Sequence, residues 1–161
     1  MIQDPTNTRV SIVSHIELCK KQADHHHKNA LASKGWDSVL SLSNVILTGL
    51  TAFSMTLLSI FDPNDSVAIT VVGASFALIL GINNKVKDSY SFLALSYQHH
   101  SACDSYHELI YIFTHLLNEC DSNLLECKDY DNAIARFIGV SQKSHIQTVK
   151  SCKIFCCFAS T

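Results

Sequence analysis

Two uncharged apolar runs dominate the pattern along this chain, Ser38 to Phe61 over 24 residues and Ser66 to Asn84 over 19, separated only by Asp62-Pro63-Asn64-Asp65. A helix of ~20 residues crosses a ~30 Å hydrocarbon core. A Lys, Asp or Arg at the centre of a bilayer costs ~2.5 to 3.5 kcal/mol, so runs of this length without one are selected for lipid. The pattern predicts a transmembrane hairpin with a tight turn at 62–65. The competing reading is a buried soluble hairpin, because both runs are rich in Ser and Thr and the second is barely long enough.

Outside these runs the period is helical. Val10, Val13, Ile16, Cys19 or Lys20, Ala23, His26 or His27, Ala30 and Leu31 recur at three- and four-residue steps, which predicts an amphipathic helix leading into the first run. Val86, Tyr90, Leu93, Tyr97, His100, Tyr106, Ile110, Phe113, Leu117 and Cys120 do the same after the second, with one irregularity near Cys103. Lys85 to Cys120 lacks Gly and Pro. One helix continuing the second crossing would then add ~54 Å at 1.5 Å per residue. Ile146, Val149, Cys152 and Phe155 or Cys156, with Lys143, Lys150 and Lys153 around them, predict a short basic amphipathic helix. The expected fold is all-α: an N-terminal helix over 1–37, a transmembrane hairpin over 38–84, a long helix over 85–120 and a helical, basic, Cys-rich tail over 121–161.

Charge sets the orientation. Lys34 precedes the first run, Lys85 and Lys87 follow the second, and the turn holds two aspartates and no base, so both termini are expected on the cytoplasmic side. The segment Met1 to Asn7 lacks the charged and apolar regions of a signal peptide, and the first crossing is expected to act as its own insertion signal. Asn64-Asp65-Ser66 is a glycosylation sequon held too close to the bilayer to be modified. Asp88 to Asp131 carries eight acids and one base, whereas Asn132 to Thr161 carries four bases and no acid. The tail suits either the acidic segment or anionic headgroups. No segment is basic enough to imply nucleic acid.

Candidate sites follow from these faces. Gly73, Ala77 and Gly81 form a small-xxx-small stripe that lets helix backbones approach in lipid. Ser41, Asn44, Thr48, Thr51 and Met55 form a weakly polar stripe on the first run, suited either to packing within one hairpin or to lining a pore between several. If the two crossings continue as straight antiparallel helices, residues whose numbers sum to about 127 lie level. That places His25, His26 and His27 opposite His99 and His100. His100, Cys103 and His107 share one face, with Cys19 and His26 across from it. Such residues suit structural packing, a Zn(II) site or a pH-sensitive contact, although no CxxC or HExxH spacing anchors a metal. Cys152, Cys156 and Cys157 suit S-acylation or burial as small hydrophobes; four residues follow Cys157, so a prenylation box fails. Seven cysteines on a reducing side argue against a disulfide framework. Five glycines, three of them in the runs, leave no phosphate-cradling loop, and no GxSxG occurs, so neither an enzyme nor a cofactor is expected.

His26-His27-Lys28-Asn29-Ala30, Lys34-Gly35-Trp36 at the first crossing, the short turn, and Tyr97-Gln98-His99-His100 before a long helix together resemble the SLATT superfamily of two-crossing membrane proteins over residues 10–120. That resemblance implies a cytosolic helix before the hairpin, a helical segment after it, and oligomeric pore-forming effectors downstream of nucleotide sensors. The Cys-rich tail departs from it. In outline the chain is also similar to the minor capsid proteins that tie the inner membrane of large icosahedral DNA viruses to their shell, which implies an anchor whose partners are the bilayer, further copies of itself and larger structural proteins. For such an anchor, Asp104, Glu108 and Glu119 are expected to meet the partner.

Overall fold

The computed structural model describes residues 5–58, 60, 66–122 and 127–158, and the side chains of these except 5, 6, 66, 127 and 145–158. The expected turn at 62–65 lies outside the described residues. Four helices are described: α1 (Pro5–Leu58), α2 (Ser66–Tyr90), α3 (Phe92–Asp121) and α4 (Cys127–Phe158), with no strand among the described residues. The two prolines of the chain fall where a helix tolerates or requires a stop, at the first position of α1 and between α1 and α2.

Two expectations change. The long helix predicted from the second run through Cys120 is divided at Ser91, whose φ of 43° is left-handed. Its amide still donates to the Lys87 carbonyl at 3.1 Å, so the helical ladder runs up to the break. No glycine or proline announces it, and a non-glycine residue in that region costs ~1–2 kcal/mol. The tail helix is longer than the short element predicted from Lys143 onward, since α4 begins at Cys127.

The chain forms two compact units, Met1–Ala32 with Leu95–Thr161, and Ser33–Ala94. The first is a three-helix packing of α1, α3 and α4. Ile12, Ile16, Cys19, Ala23, His26 and Ala30 are buried on α1, and Leu95, His99, Ala102, Tyr106, Leu109, Phe113, Leu116 and Cys120 on α3. Tyr130, Ala133, Phe137, Val140 and Ser144 face them from α4. All three sets alternate three- and four-residue steps, the 3.5-residue period of knobs-into-holes seams. Burial of a side chain such as Phe113, fully removed from solvent, contributes about 1.5–3 kcal/mol.

The stripe expected on α3 is in phase at Tyr106, Phe113 and Cys120, which are buried, and out of phase before them. Leu93 and Tyr97 are exposed at 46% and 67%, and Ser96 and His99 are buried in their place. On the true seam the irregularity near Cys103 disappears. Ser96 belongs inside because its hydroxyl donates to the Ala30 carbonyl at 2.9 Å. The choice left open for the tail also resolves for its first half. Arg136 pairs with Glu108 at 2.8 Å, and the Tyr130 hydroxyl lies 2.7 Å from that of Ser11, so residues 128–144 of α4 fold onto α3 and α1.

Candidate functional site: the hairpin seam and a buried histidine pair

Within the Ser33–Ala94 unit α1 and α2 meet along a seam in which Leu40, Asn44, Leu47, Thr51, Ser54 and Leu58 face Ile69, Gly73, Phe76, Leu80, Asn83 and Lys87, all buried or half-buried. Asn44 Nδ2 donates to Asn84 Oδ1 at 2.6 Å and Asn83 Nδ2 to Ser43 Oγ at 2.9 Å. Lys87 Nζ donates to Ser41 Oγ at 2.7 Å and lies 3.8 Å from Asp37. Asn44 Oδ1 is buried without a hydrogen-bond partner. At Gly73 the two helices pack closely, since an added Cβ would stand 3.1 Å from Ser54 Cβ.

The outward face of this unit is apolar. Val45, Phe53, Met55, Val67 and Leu78 are all more than 60% exposed. Hydroxyls on both faces close on their own helices: Thr48, Thr51, Ser54 and Thr56 each donate to the carbonyl four residues back at 2.7–3.0 Å, as does Ser75 on α2. A hydroxyl bonded in this way no longer needs water.

In the Met1–Ala32 and Leu95–Thr161 unit the rings of His26 and His99 meet with Nδ1 atoms 2.9 Å apart, at 1% and 0% exposure. Tyr106 stacks on His26 with centroids 5.7 Å apart, and its hydroxyl lies 2.9 Å from Ser144 Oγ of α4. Burial first, then the neighbouring His99 and His25, push the His26 imidazole down to about 4. Burial and His25 lower His99 as well. Burial pushes the Cys19 thiol up to about 11, and burial followed by Asp104 and Asp24 raises Cys103, so both thiols stay protonated at neutral pH.

No family model, curated protein or solved structure matches this chain. The role of each residue therefore rests on its surroundings.

Of the small-residue stripe, Gly73 makes the close contact, while Ala77 is exposed and a Cβ at Gly81 would meet nothing within 4 Å. Of the polar stripe, Asn44 and Thr51 turn into the seam and Thr48 stays outside with its hydroxyl satisfied. The four candidate metal ligands are not brought together. His26 is bonded to His99, Cys103 is buried, and His100 and His107 point to solvent. Among the described residues no three of His, Cys, Asp and Glu gather as a metal site. The side chains of Cys152, Cys156 and Cys157 lie outside the described residues. Glu108, expected to meet a partner, is turned to Arg136.

Sequence reasoning placed the histidines at the right level, since His27 and His100 have ring centroids 6.4 Å apart, but passed over His99 as the inward member. It also missed His15, whose Nδ1–H donates to the Ser11 carbonyl at 2.7 Å while its ring stacks on Phe113 and meets Phe137 edge-on. The available signal was the strict 3.5-residue step, which puts Ile12, Cys19 and His26 on one line.

Proposed function

We propose that this chain is a non-enzymatic integral membrane protein, inserted as a two-helix hairpin with both termini on the cytoplasmic side, that anchors a larger protein assembly to a bilayer. Two helices are long and apolar enough to cross a membrane. Soluble core helices can be that apolar too, but they bury their side chains, whereas here large apolar side chains such as Val45, Phe53, Met55, Val67 and Leu78 face outward and amides and hydroxyls close on the hairpin itself. That inversion is the observation that carries the reading. The anchoring role is supported by what is absent from the outward face: the amide that would line a pore, Asn44, is spent within the hairpin. The proposed anchor sits in the inner membrane of a virion, the setting that the outline resemblance implies, with larger structural proteins as partners.

The test is extraction from the native source. The protein should stay with the membrane in alkaline carbonate and come out in mild detergent within a complex whose mass is dominated by larger proteins. Release by carbonate would overturn the membrane assignment. A closed ring of this chain alone would replace the anchor with a SLATT-like pore.

A further inference from the structure

We propose that His26 and His99 form an acid-sensitive clasp, and that protons taken up by this buried pair release α1 from α3 within the unit formed by Met1–Ala32 and Leu95–Thr161. The argument begins with hydrogen-bond chemistry. Two Nδ1 atoms at 2.9 Å can bond only if one carries the proton and the other a lone pair, so the neutral pair requires complementary tautomers. A first proton placed on the remote nitrogen of the donor ring preserves the bond but creates a cation at a position 0–1% exposed. A second proton, on the acceptor Nδ1, sets two N–H groups against each other and breaks the bond.

The groups around the pair add to the effect. On α1, the exposed His25 packs edge-on against His26 with centroids 5.7 Å apart, and its own protonation opposes that of the buried ring. Asp24 is exposed and paired with Lys28 at 2.7 Å. On α3, Cys103 is a buried thiol one turn from His99, beside the exposed Asp104, and His100 faces His27 across the helix pair. Tyr106 lies on His26 and links it to α4 through Ser144, next to the exposed Lys143. His25 and His27 on α1 and His100 on α3 thus lie at one level around a pair whose Nδ1–Nδ1 bond depends on neutrality. The clasp belongs to the packing of α1 against α3 and does not rest on the membrane reading, so either can fail without the other.

The experiment is amide hydrogen exchange of the full chain in detergent micelles at pH 7.5 and 5.0, corrected for intrinsic exchange chemistry. Peptides covering residues 19–30 and 95–106 should exchange at least about ten-fold faster at pH 5.0, the ratio that one unit of proton linkage produces. In His26→Asn/His99→Asn, whose amides place a non-titrating donor and acceptor near the Nδ1 positions, the acceleration should vanish. No acceleration in the native chain, or equal acceleration in the double variant, overturns the proposal. Should the double variant fail to fold, histidine ring signals of the native chain decide. Both buried rings should titrate together with the α1 and α3 amide signals, and a ring that titrates near 6.5 while those signals stay fixed overturns the clasp.

Discussion

Asn44→Leu separates an amide engaged within the hairpin from one that serves a pore. The substitution removes the 2.6 Å bond to Asn84. Interhelical hydrogen bonds in lipid average ~0.6 kcal/mol and reach ~1.7. Asn84 is exposed at the end of the second run, beside Lys85, so interfacial water can take up its carbonyl after the loss. Against this stands the buried Asn44 Oδ1, which has no partner. A buried group in that state costs ~1–3 kcal/mol. The two effects nearly cancel, with the balance toward relief, and leucine adds apolar contact beside Leu40 and Leu47. The expected change is within about 1 kcal/mol of zero, on the stabilising side. Reversible unfolding in mixed micelles measures it, and a cycle with Asn84→Leu should give a coupling no larger than ~1.7 kcal/mol. A loss above ~2 kcal/mol would mean that Oδ1 has a partner the geometry does not reveal. In dye-loaded liposomes the variant should leak as the native protein does, and altered leakage would refute the anchor in favour of a pore.

Three other outcomes follow from the same contacts. Gly73→Ile should weaken the α1–α2 packing by ~1–3 kcal/mol because its Cβ meets Ser54 at 3.1 Å, whereas Gly81→Ile, with open space around it, should not; disulfide cross-linking of cysteines introduced across the seam reads the difference. Phe113→Ala should cost ~3–5 kcal/mol in thermal unfolding, since the ring is fully buried and supports both His15 and Phe137. Because His26 is held at about 4 in the native state against 6.5 in the unfolded chain, the native state refuses a proton that the unfolded chain accepts. Its stability is complete above pH 6.5 and falls as the pH drops toward 4, by up to ~3 kcal/mol at 1.36 kcal/mol per unit. Denaturant midpoints that stay level between pH 7 and 5 would contradict that linkage.

Much of the fold was legible because its signals are coarse. The absence of charge from residues 38–61 and 66–84 gives the two apolar helices, and antiparallel level-matching places Gly73 opposite Ser54 and His27 opposite His100. Phase was harder to read. On α3 the large side chains of Leu93 and Tyr97 draw the first part of the predicted stripe onto what is the exposed face, while the inner face there uses Ser96 and His99, polar residues made burial-compatible by partners distant in sequence. The break at Ser91 has no local signature, and the first turns of α4 are masked by Lys128, Asp129, Asp131 and Asn132, whose helix is held by the sparse line of Tyr130, Ala133 and Phe137. The histidine site was half visible: composition and level were in the sequence, but the choice of His99 over His100 depended on the seam's period.

The hydroxyls bonded four residues back bear on how such a hairpin is made. A segment whose Thr48, Thr51, Ser54 and Thr56 each carry their own acceptor can leave an insertion channel as a single helix, with nothing in lipid left to find for those groups. The Nδ2 donors of Asn44 and Asn83 find their acceptors only when α1 and α2 meet. On the proposed membrane reading, biogenesis is ordered by chemistry: each helix partitions on its own account, and the asparagines set the register of the two helices afterwards.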